Sequence, residues 1–414
     1  MSTDRVVIVG AGHAGFAAAA ALRECSYEGA ITLLDSTAAL PYQRPPLSKG
    51  FIDETLAEDA IAFRDREYFA REGIELRIGV SAVAVDRDNR AVLLSDGARV
   101  DYTHLILATG TRPRPLPVPA GAGAFTVLRT PDDARGIAAN LAAGGRLLVL
   151  GGGFIGAEVA ATAARRGLDV TVVEAGPQLM GRAVSAYTAQ HLAASLERLG
   201  VRVLLTTRVA EVRPGAPATV VTDDCRSLPA DHVLAAIGVV PETELAERAC
   251  LPVDDGIVVD EHLLTSDPAI SAIGDCARVV RPDGTSRRIE SVQNATDQAR
   301  CAAARVTGRP YRYDRVPRFW SDQGPERLQI VGHADRPTAD ALRGTPSGRS
   351  FSVVRSDSAG RVVAVESVND GRTHMMFRRL FESRAPIAAT DLADPDRPLT
   401  ELLTLSAMGE RNPL

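Results

Sequence analysis

The chain has 414 residues, 45% hydrophobic and 24% charged, with 47 basic and 52 acidic side chains giving a formal net charge of −5. That length suggests two to three domains with real cores, and the charge balance offers no strong field for nucleic acid or an anionic membrane. The five cysteines (Cys25, Cys225, Cys250, Cys276, Cys301) are far apart with no CxxC pair, which excludes a disulfide scaffold, a structural zinc site and a dithiol redox centre and suits a soluble protein of a reducing cytoplasm.

In chain order, the first element is the β-branched run Val6–Val9, followed by Gly10-Ala11-Gly12-His13-Ala14-Gly15, an Ala-rich helical stretch to about Cys25, and a second apolar run, Ala30–Leu34, that ends in Asp35. Residues 6–22 form an uncharged run of 17. It lacks the basic leading region of a signal peptide and falls short of the roughly 20 apolar residues of a membrane span. Strand, GxGxxG, helix, strand and terminal acid instead make a dinucleotide fingerprint. The first glycine permits the tight turn, and the second lets backbone N–H groups approach a pyrophosphate. The third lets helix and strand pack closely, and Asp35 is placed to accept from ribose hydroxyls.

Next comes Lys49. Of the 47 basic residues it is the one lysine and the other 46 are arginine. A chance survivor of codon bias is one reading. The other is a position where a compact ammonium is required and a planar guanidinium does not fit.

The fingerprint then recurs. Arg146–Leu150 leads into Gly151-Gly152-Gly153-Phe154-Ile155-Gly156, a helix through about Arg166, and the strand Asp169–Val173 ending in Glu174. Glycines and acid are both kept, so two complete dinucleotide modules are expected in series. Two dinucleotides on one chain imply electron transfer between them, from a nicotinamide that gives up a hydride to a flavin that accepts it. Each fingerprint has a matching closing segment, Leu105–Gly110 and Val233–Gly238, read as a buried strand running into a glycine turn. A further strand, within Thr265–Asp275, ends in Gly274-Asp275, where the carboxylate could accept from a flavin ribityl hydroxyl. Glu174 accepts from the 2′-hydroxyl of NAD and repels the 2′-phosphate of NADP, so NADH is the expected donor. The seven histidines show no HxxxH or HExxH spacing, and no metal site is expected.

With these motifs the sequence resembles the FAD-dependent, NADH-using ferredoxin reductases that serve cytochrome P450s and ring dioxygenases, the putidaredoxin-reductase type. The likeness spans essentially the whole chain. It includes Pro41-Tyr42-Gln43-Arg44-Pro45-Pro46-Leu47-Ser48-Lys49, Leu128-Arg129-Thr130, Ile273-Gly274-Asp275-Cys276-Ala277, Glu290-Ser291-Val292-Gln293-Asn294-Ala295 and Phe319-Trp320-Ser321-Asp322-Gln323.

The resemblance implies an α/β fold of two nested Rossmann-like domains and an α+β C-terminal domain, as in glutathione reductase. The FAD domain would comprise 1–112 and 245–320, the NADH domain 113–244, and the C-terminal domain 321–414. Within the last, strand-like runs at Phe351–Val354 and Arg361–Val365 and a helical pattern near Met375–Glu382 are expected. For FAD it implies Gly10, Gly12, His13, Ala14, Gly15, Asp35, Ala108, Thr109, Gly110 and Gly274. Ala82 would meet the adenine, Arg129 the adenosine region, Asp275 the ribityl–phosphate part and Val292 the pyrimidine edge. Lys49 would lie near flavin N5 with Arg44 close by and Glu158 as its acidic partner, and Trp320 would sit at the flavin face near the partner's approach. Gly151, Gly153, Ile155, Gly156, Glu174, Gly238 and Glu290 would bind NADH. Lys49, Glu158 and Trp320 form the implied catalytic set.

The implied partner is a small acidic [2Fe–2S] or [3Fe–4S] ferredoxin feeding a P450 or oxygenase, with no nucleic acid or membrane and a monomer or weak dimer as the state. The arginines of 278–288 and 305–318 read either as the solvated surface of an Arg-rich chain or as a basic rim that steers this partner. Gly324-Pro325 departs from the family, which commonly has an aromatic there. An NADH oxidase or diaphorase like apoptosis-inducing factor, and a low-turnover FAD/NADH redox sensor, are the alternatives. The disulfide-reductase branch is excluded, because no cysteine lies between Ser26 and Asp224.

Overall fold

A computed structural model describes residues 4–121, 123–335, 337–384 and 388–409. The chain separates into two compact units, Met1–Pro46, Leu56–Arg112 and Val239–Arg315 in one, Leu47–Thr55, Pro113–Gly238 and Val316–Leu414 in the other. The nucleotide module and the C-terminal domain, expected as separate bodies, thus fall in one unit. The short segment 47–55, which carries Lys49, belongs to it as well.

The first unit is built on a five-stranded sheet in the order Ile270–Ala272, His104–Leu107, Arg5–Val9, Ala30–Asp35, Ile74–Ile78, and every pairing is parallel. Its strands are continuous apolar runs rather than alternating ones, as a sheet covered on both faces requires. Val6, Ile8, Leu33 and Leu105 are fully buried. On one face lies the fingerprint helix, His13–Glu24, against the helix Val292–Val306. The buried residues on their facing sides are mostly Ala (Ala14, Ala18, Ala21; Ala295, Ala299, Ala302), which lets the two backbones approach closely.

The second unit repeats the plan with four parallel strands, Arg202–Leu204, Asp169–Val173, Arg146–Leu150 and His232–Ala235. The helix Phe154–Arg165 crosses between the two middle strands and is buried along most of its length. A five-stranded antiparallel sheet follows, in the order Arg318–Gln323, Glu326–Gly332, Val362–Val368, Phe351–Ser356, Ala339–Gly344. The helix Gly371–Ser383 closes one face of it through Phe377 and Leu380, joined by Leu399 and Leu402 of the helix Leu399–Gly409. The expected runs fall on these elements: the first strand continues from Phe351 to Ser356, the second begins at Val362 rather than Arg361 and continues to Val368, and the helical pattern lies within Gly371–Ser383. No helix among the described residues is long and apolar enough to cross a membrane.

Candidate dinucleotide and redox site

Both fingerprint loops are closed by their glycines. A Cβ at Gly10 would stand 2.3 Å from the Ala108 carbonyl oxygen, and one at Gly15 would stand 1.8 Å from that of Gly10. In the second module a Cβ at Gly151 would meet the Ala236 oxygen at 2.5 Å, and one at Gly156 the Gly151 oxygen at 2.3 Å. The middle glycines differ. Gly153 faces open space, and Gly12 faces only the Arg44 guanidinium, 2.9 Å from where a Cβ would lie. Backbone is thus bare where a pyrophosphate approaches a helix N-terminus.

The acids at the strand ends act identically in the two modules. Asp35 accepts from the Ala11 amide (2.7 Å) and the Thr37 amide (2.8 Å), and Glu174 from the Gly152 amide (2.7 Å) and the Gly176 amide (2.6 Å). In each module the donors are the middle residue of the first GxG and the residue two beyond the acid. Ionised acceptors make strong bonds to N–H donors, so each carboxylate is fixed beside its loop, where a ribose would lie.

The closing segments behave as read. Strands His104–Leu107 and His232–Ala235 run into Gly110 (φ +70°) and Gly238 (φ +94°). The Thr109 hydroxyl donates to the Glu242 carbonyl oxygen at 2.6 Å. Gly274, at φ +76°, has its backbone so close to Ala14 that a Cβ would stand 2.8 Å from the Ala14 methyl. Asp275 is thereby brought beside the fingerprint helix. His13 opens that helix against Phe63, and burial together with the Arg44 guanidinium pushes its pKa down to about 4. The Arg44 guanidinium lies over Gly12. Its Nε is buried without a partner among the described residues, an orphan donor suited to a phosphate oxygen. These features fit a dinucleotide at each fingerprint.

Lys49 and Glu158 do meet. The Lys49 Nζ is 2.8 Å from Glu158 Oε2, with the lysine side chain 25% exposed and the carboxylate 5%. Glu158 is presented by the helix Phe154–Arg165, one turn past the fingerprint. Ser48 Oγ donates to the same oxygen, while Ser321 Oγ (2.7 Å) and the Asp322 amide (3.3 Å) donate to Oε1. The segment that bears Lys49 is tied down a second time, by Asp53 with Arg165 (3.2 Å) and Arg166 (3.5 Å). Ser48 and Ser321 were visible as motif residues but carried no role. The side-chain bonds that give them one cross 110 and 163 positions.

The strand Arg318–Gln323 alternates as its pleat demands. Phe319 meets Phe154 (ring centroids 4.4 Å), Ser321 meets Glu158 and Gln323 meets Met180. Trp320, half-buried, falls on the opposite face of that strand. Gly324-Pro325 makes the hairpin turn to Glu326–Gly332. Gly324 has φ +59°, and a Cβ there would stand 2.9 Å from a Leu199 methyl. A larger side chain at this position would have to displace the Leu199 methyl and take up a left-handed backbone conformation.

Of the other expected residues, Ala82 opens the strand Ala82–Asp86, and Val292 opens its helix behind the Ser291 cap, whose Oγ accepts from the Asn294 amide (3.1 Å). Arg129 precedes a capping box in which Thr130 and Asp133 accept from each other's amides, and its own amide donates to Asp133 (3.0 Å). Ile155 is exposed at the head of the second fingerprint helix. Glu290 is paired with Arg288 (2.6 Å) in the first unit, not in the unit that holds Gly151–Glu174. Cys276 is fully buried, and its thiol pKa is raised by that burial, so it is no redox cysteine.

Two glycine-gated dinucleotide modules and a lysine–carboxylate pair define the class: a two-nucleotide oxidoreductase with no redox cysteine near its fingerprints. Residues 4–299 match the pyridine nucleotide-disulphide oxidoreductase family and residues 318–403 the reductase C-terminal family. Rhodocoxin reductase of Rhodococcus erythropolis is 43% identical over 395 residues, 94% of this chain and 92% of the relative. Putidaredoxin reductase of Pseudomonas putida is 39% identical, covering 97% of each. Among solved structures, the ferredoxin reductase for the CYP199A2 system of Rhodopseudomonas palustris superposes with a TM-score of 0.93 at 41% identity, covering 97% of this chain and 100% of that one. The chain belongs to the ferredoxin-reductase branch of the pyridine nucleotide-disulphide oxidoreductase family, with the C-terminal domain that marks it.

Proposed function

We propose that this protein is an NADH-dependent flavoprotein reductase that passes electrons through FAD to a small iron–sulfur ferredoxin feeding a P450 or oxygenase. The observation that carries the reading is the pairing of two equivalent acid-bridged fingerprints on one chain with the sole lysine held against buried Glu158. A bound flavin supplies the redox chemistry, taking a hydride from a nicotinamide and releasing electrons singly.

The residues do the rest. Gly10, Gly12, Gly15, Asp35 and Arg44, in a FAD-binding part spanning 1–112 and 245–320, hold the adenosine and pyrophosphate end of FAD. Asp275 accepts from the ribityl chain. Gly151, Gly153, Gly156 and Glu174, in 113–244, seat NADH and exclude a 2′-phosphate. Lys49 places one fixed positive charge where negative charge gathers on reduction, which needs no protein acid or base for the hydride step. Trp320, entering the C-terminal part at 321–414, lies by the route to the acceptor. The scattered, unpaired cysteines support a reducing cytoplasm as the setting of the reaction.

Anaerobic mixing of the purified protein with NADH and a [2Fe–2S] or [3Fe–4S] ferredoxin from the same source tests this. Rapid iron–sulfur reduction with NADH, and much slower reduction with NADPH, is expected. Flavin bleaching without ferredoxin reduction would overturn the acceptor and leave an oxidase or sensor.

A further inference from the structure

Glu158 is a carboxylate almost entirely out of water, and such a group is tolerated only when its lone pairs are filled by donors. Its two oxygens are divided. Oε2 serves the segment 47–55 through Ser48 and Lys49, while Oε1 is held from the C-terminal sheet by Ser321 Oγ at 2.7 Å and the Asp322 amide at 3.3 Å. The donors on Oε1 therefore set the plane of the carboxylate, and that plane decides where Oε2 meets the lysine.

The direction of the Ser321 bond is also set. Gln323 Nε2 lies 3.3 Å from Ser321 Oγ and 3.1 Å from the Met180 sulfur, and an amide nitrogen only donates. With its oxygen accepting from Gln323, the Ser321 hydroxyl has its proton free for Glu158. Gln323 Oε1 is buried without a partner among the described residues. The opposite amide orientation would leave the nitrogen unpartnered in its place and set the oxygen against the Ser321 hydroxyl, drawing its proton away from Glu158. Lys49 itself stands on four rotatable bonds, so the position of the carboxylate it pairs with bears directly on where its charge stands. The backbone below it is already fixed, with the Asp53 amide donating to the Lys49 carbonyl oxygen (3.0 Å) and Asp53 paired with Arg165.

We infer that Ser321, oriented by Gln323, is a positioning residue: it locks Glu158 and through it fixes the Lys49 ammonium, so that the C-terminal sheet sets where that charge stands. The inference rests on the proposed role of Lys49 beside the flavin, and its test separates the two.

Because Lys49 is the only lysine, holoenzyme grown with lysine labelled with 15N at Nζ carries a single side-chain ammonium signal. In Ser321→Ala that signal should exchange with water at least tenfold faster, and Ser321→Thr, which keeps the hydroxyl, should restore it. The FAD midpoint potential of Ser321→Ala should fall by the equivalent of a tenfold change in the oxidised-to-reduced ratio, ~30 mV for two electrons. The same substitution in a Lys49→Met background should leave the potential unmoved, which a general loosening of the fold would not do. Unchanged Lys49 exchange in folded Ser321→Ala, or an equal shift in the Lys49→Met background, would overturn the inference. If Lys49→Met alone leaves the potential in place, the flavin role of Lys49 fails, and the exchange measurement still decides whether Ser321 holds the pair.

Discussion

At the scale of single residues, the two strand-end acids are the clearest case of one device used twice. Each spends its carboxylate on two backbone amides, so its negative charge is pinned to the loop rather than left to swing into solvent. In the function proposed above, this pinning makes rejection of a 2′-phosphate by Glu174 a matter of rigid geometry, since a free carboxylate could turn aside. Removal of that acid leaves the Gly152 and Gly176 amide donors without the repulsion. Glu174→Ala should therefore raise the ratio of kcat/KM for NADPH to that for NADH by about tenfold, equivalent to ~1.4 kcal/mol. Steady-state kinetics with both donors checks it. An unchanged ratio would mean that selectivity lies elsewhere in the module.

At the scale of elements, the helix Ala186–Arg198 is held to the C-terminal sheet by two buried acids rather than by apolar contact alone. Glu366, essentially unexposed, accepts from the Ser185 amide (2.8 Å) and hydroxyl (2.7 Å) at the helix cap and pairs with Arg355 (3.0 Å). Burial raises its pKa despite these donors. Glu326 accepts from His191 (3.0 Å) and Ser195 (2.9 Å) further along the same helix, and from Asn369 (2.6 Å) just past the strand Val362–Val368. Removing one acid strands several buried donors at once, which costs more than a surface ion pair contributes. Glu326→Ala should lower stability by about 2–4 kcal/mol. Trp320, the only tryptophan and on the strand hairpinned to the one bearing Glu326, reports the unfolding by its fluorescence in urea. A loss under ~0.5 kcal/mol, the size of an ordinary surface change, would show the acid to be dispensable.

At the scale of the whole molecule, what could be read from the sequence follows a physical rule. Fingerprints, strand-end acids and closing turns were legible because their chemistry is local: a glycine that tolerates no Cβ announces itself within six residues. The pair Lys49–Glu158 came only through resemblance, and the Ser321 bond that completes it not at all, since contacts across 100 residues or more leave no periodic trace. Buried histidines are equally silent in sequence, and two join His13 among the described residues. His104 accepts from the Arg305 guanidinium at 2.7 Å, and burial next to that charge takes its pKa down to about 3. His374 is brought down to about 4 by burial and by Arg378. Both rings stay neutral in the folded chain but take a proton near pH 6.5 when unfolded. Their contribution is therefore complete above that pH and drains away as the pH falls from about 6.5 toward 4. In that window unfolding should take up about two extra protons from these rings, each worth ~1.4 kcal/mol of stability per pH unit. Melting curves from pH 7 to 4.5 should show a falling midpoint, with His104→Asn removing about half of the pH dependence that these two rings supply. The same pH dependence in wild type and His104→Asn would mean that the buried ring already accepts its proton in the native state.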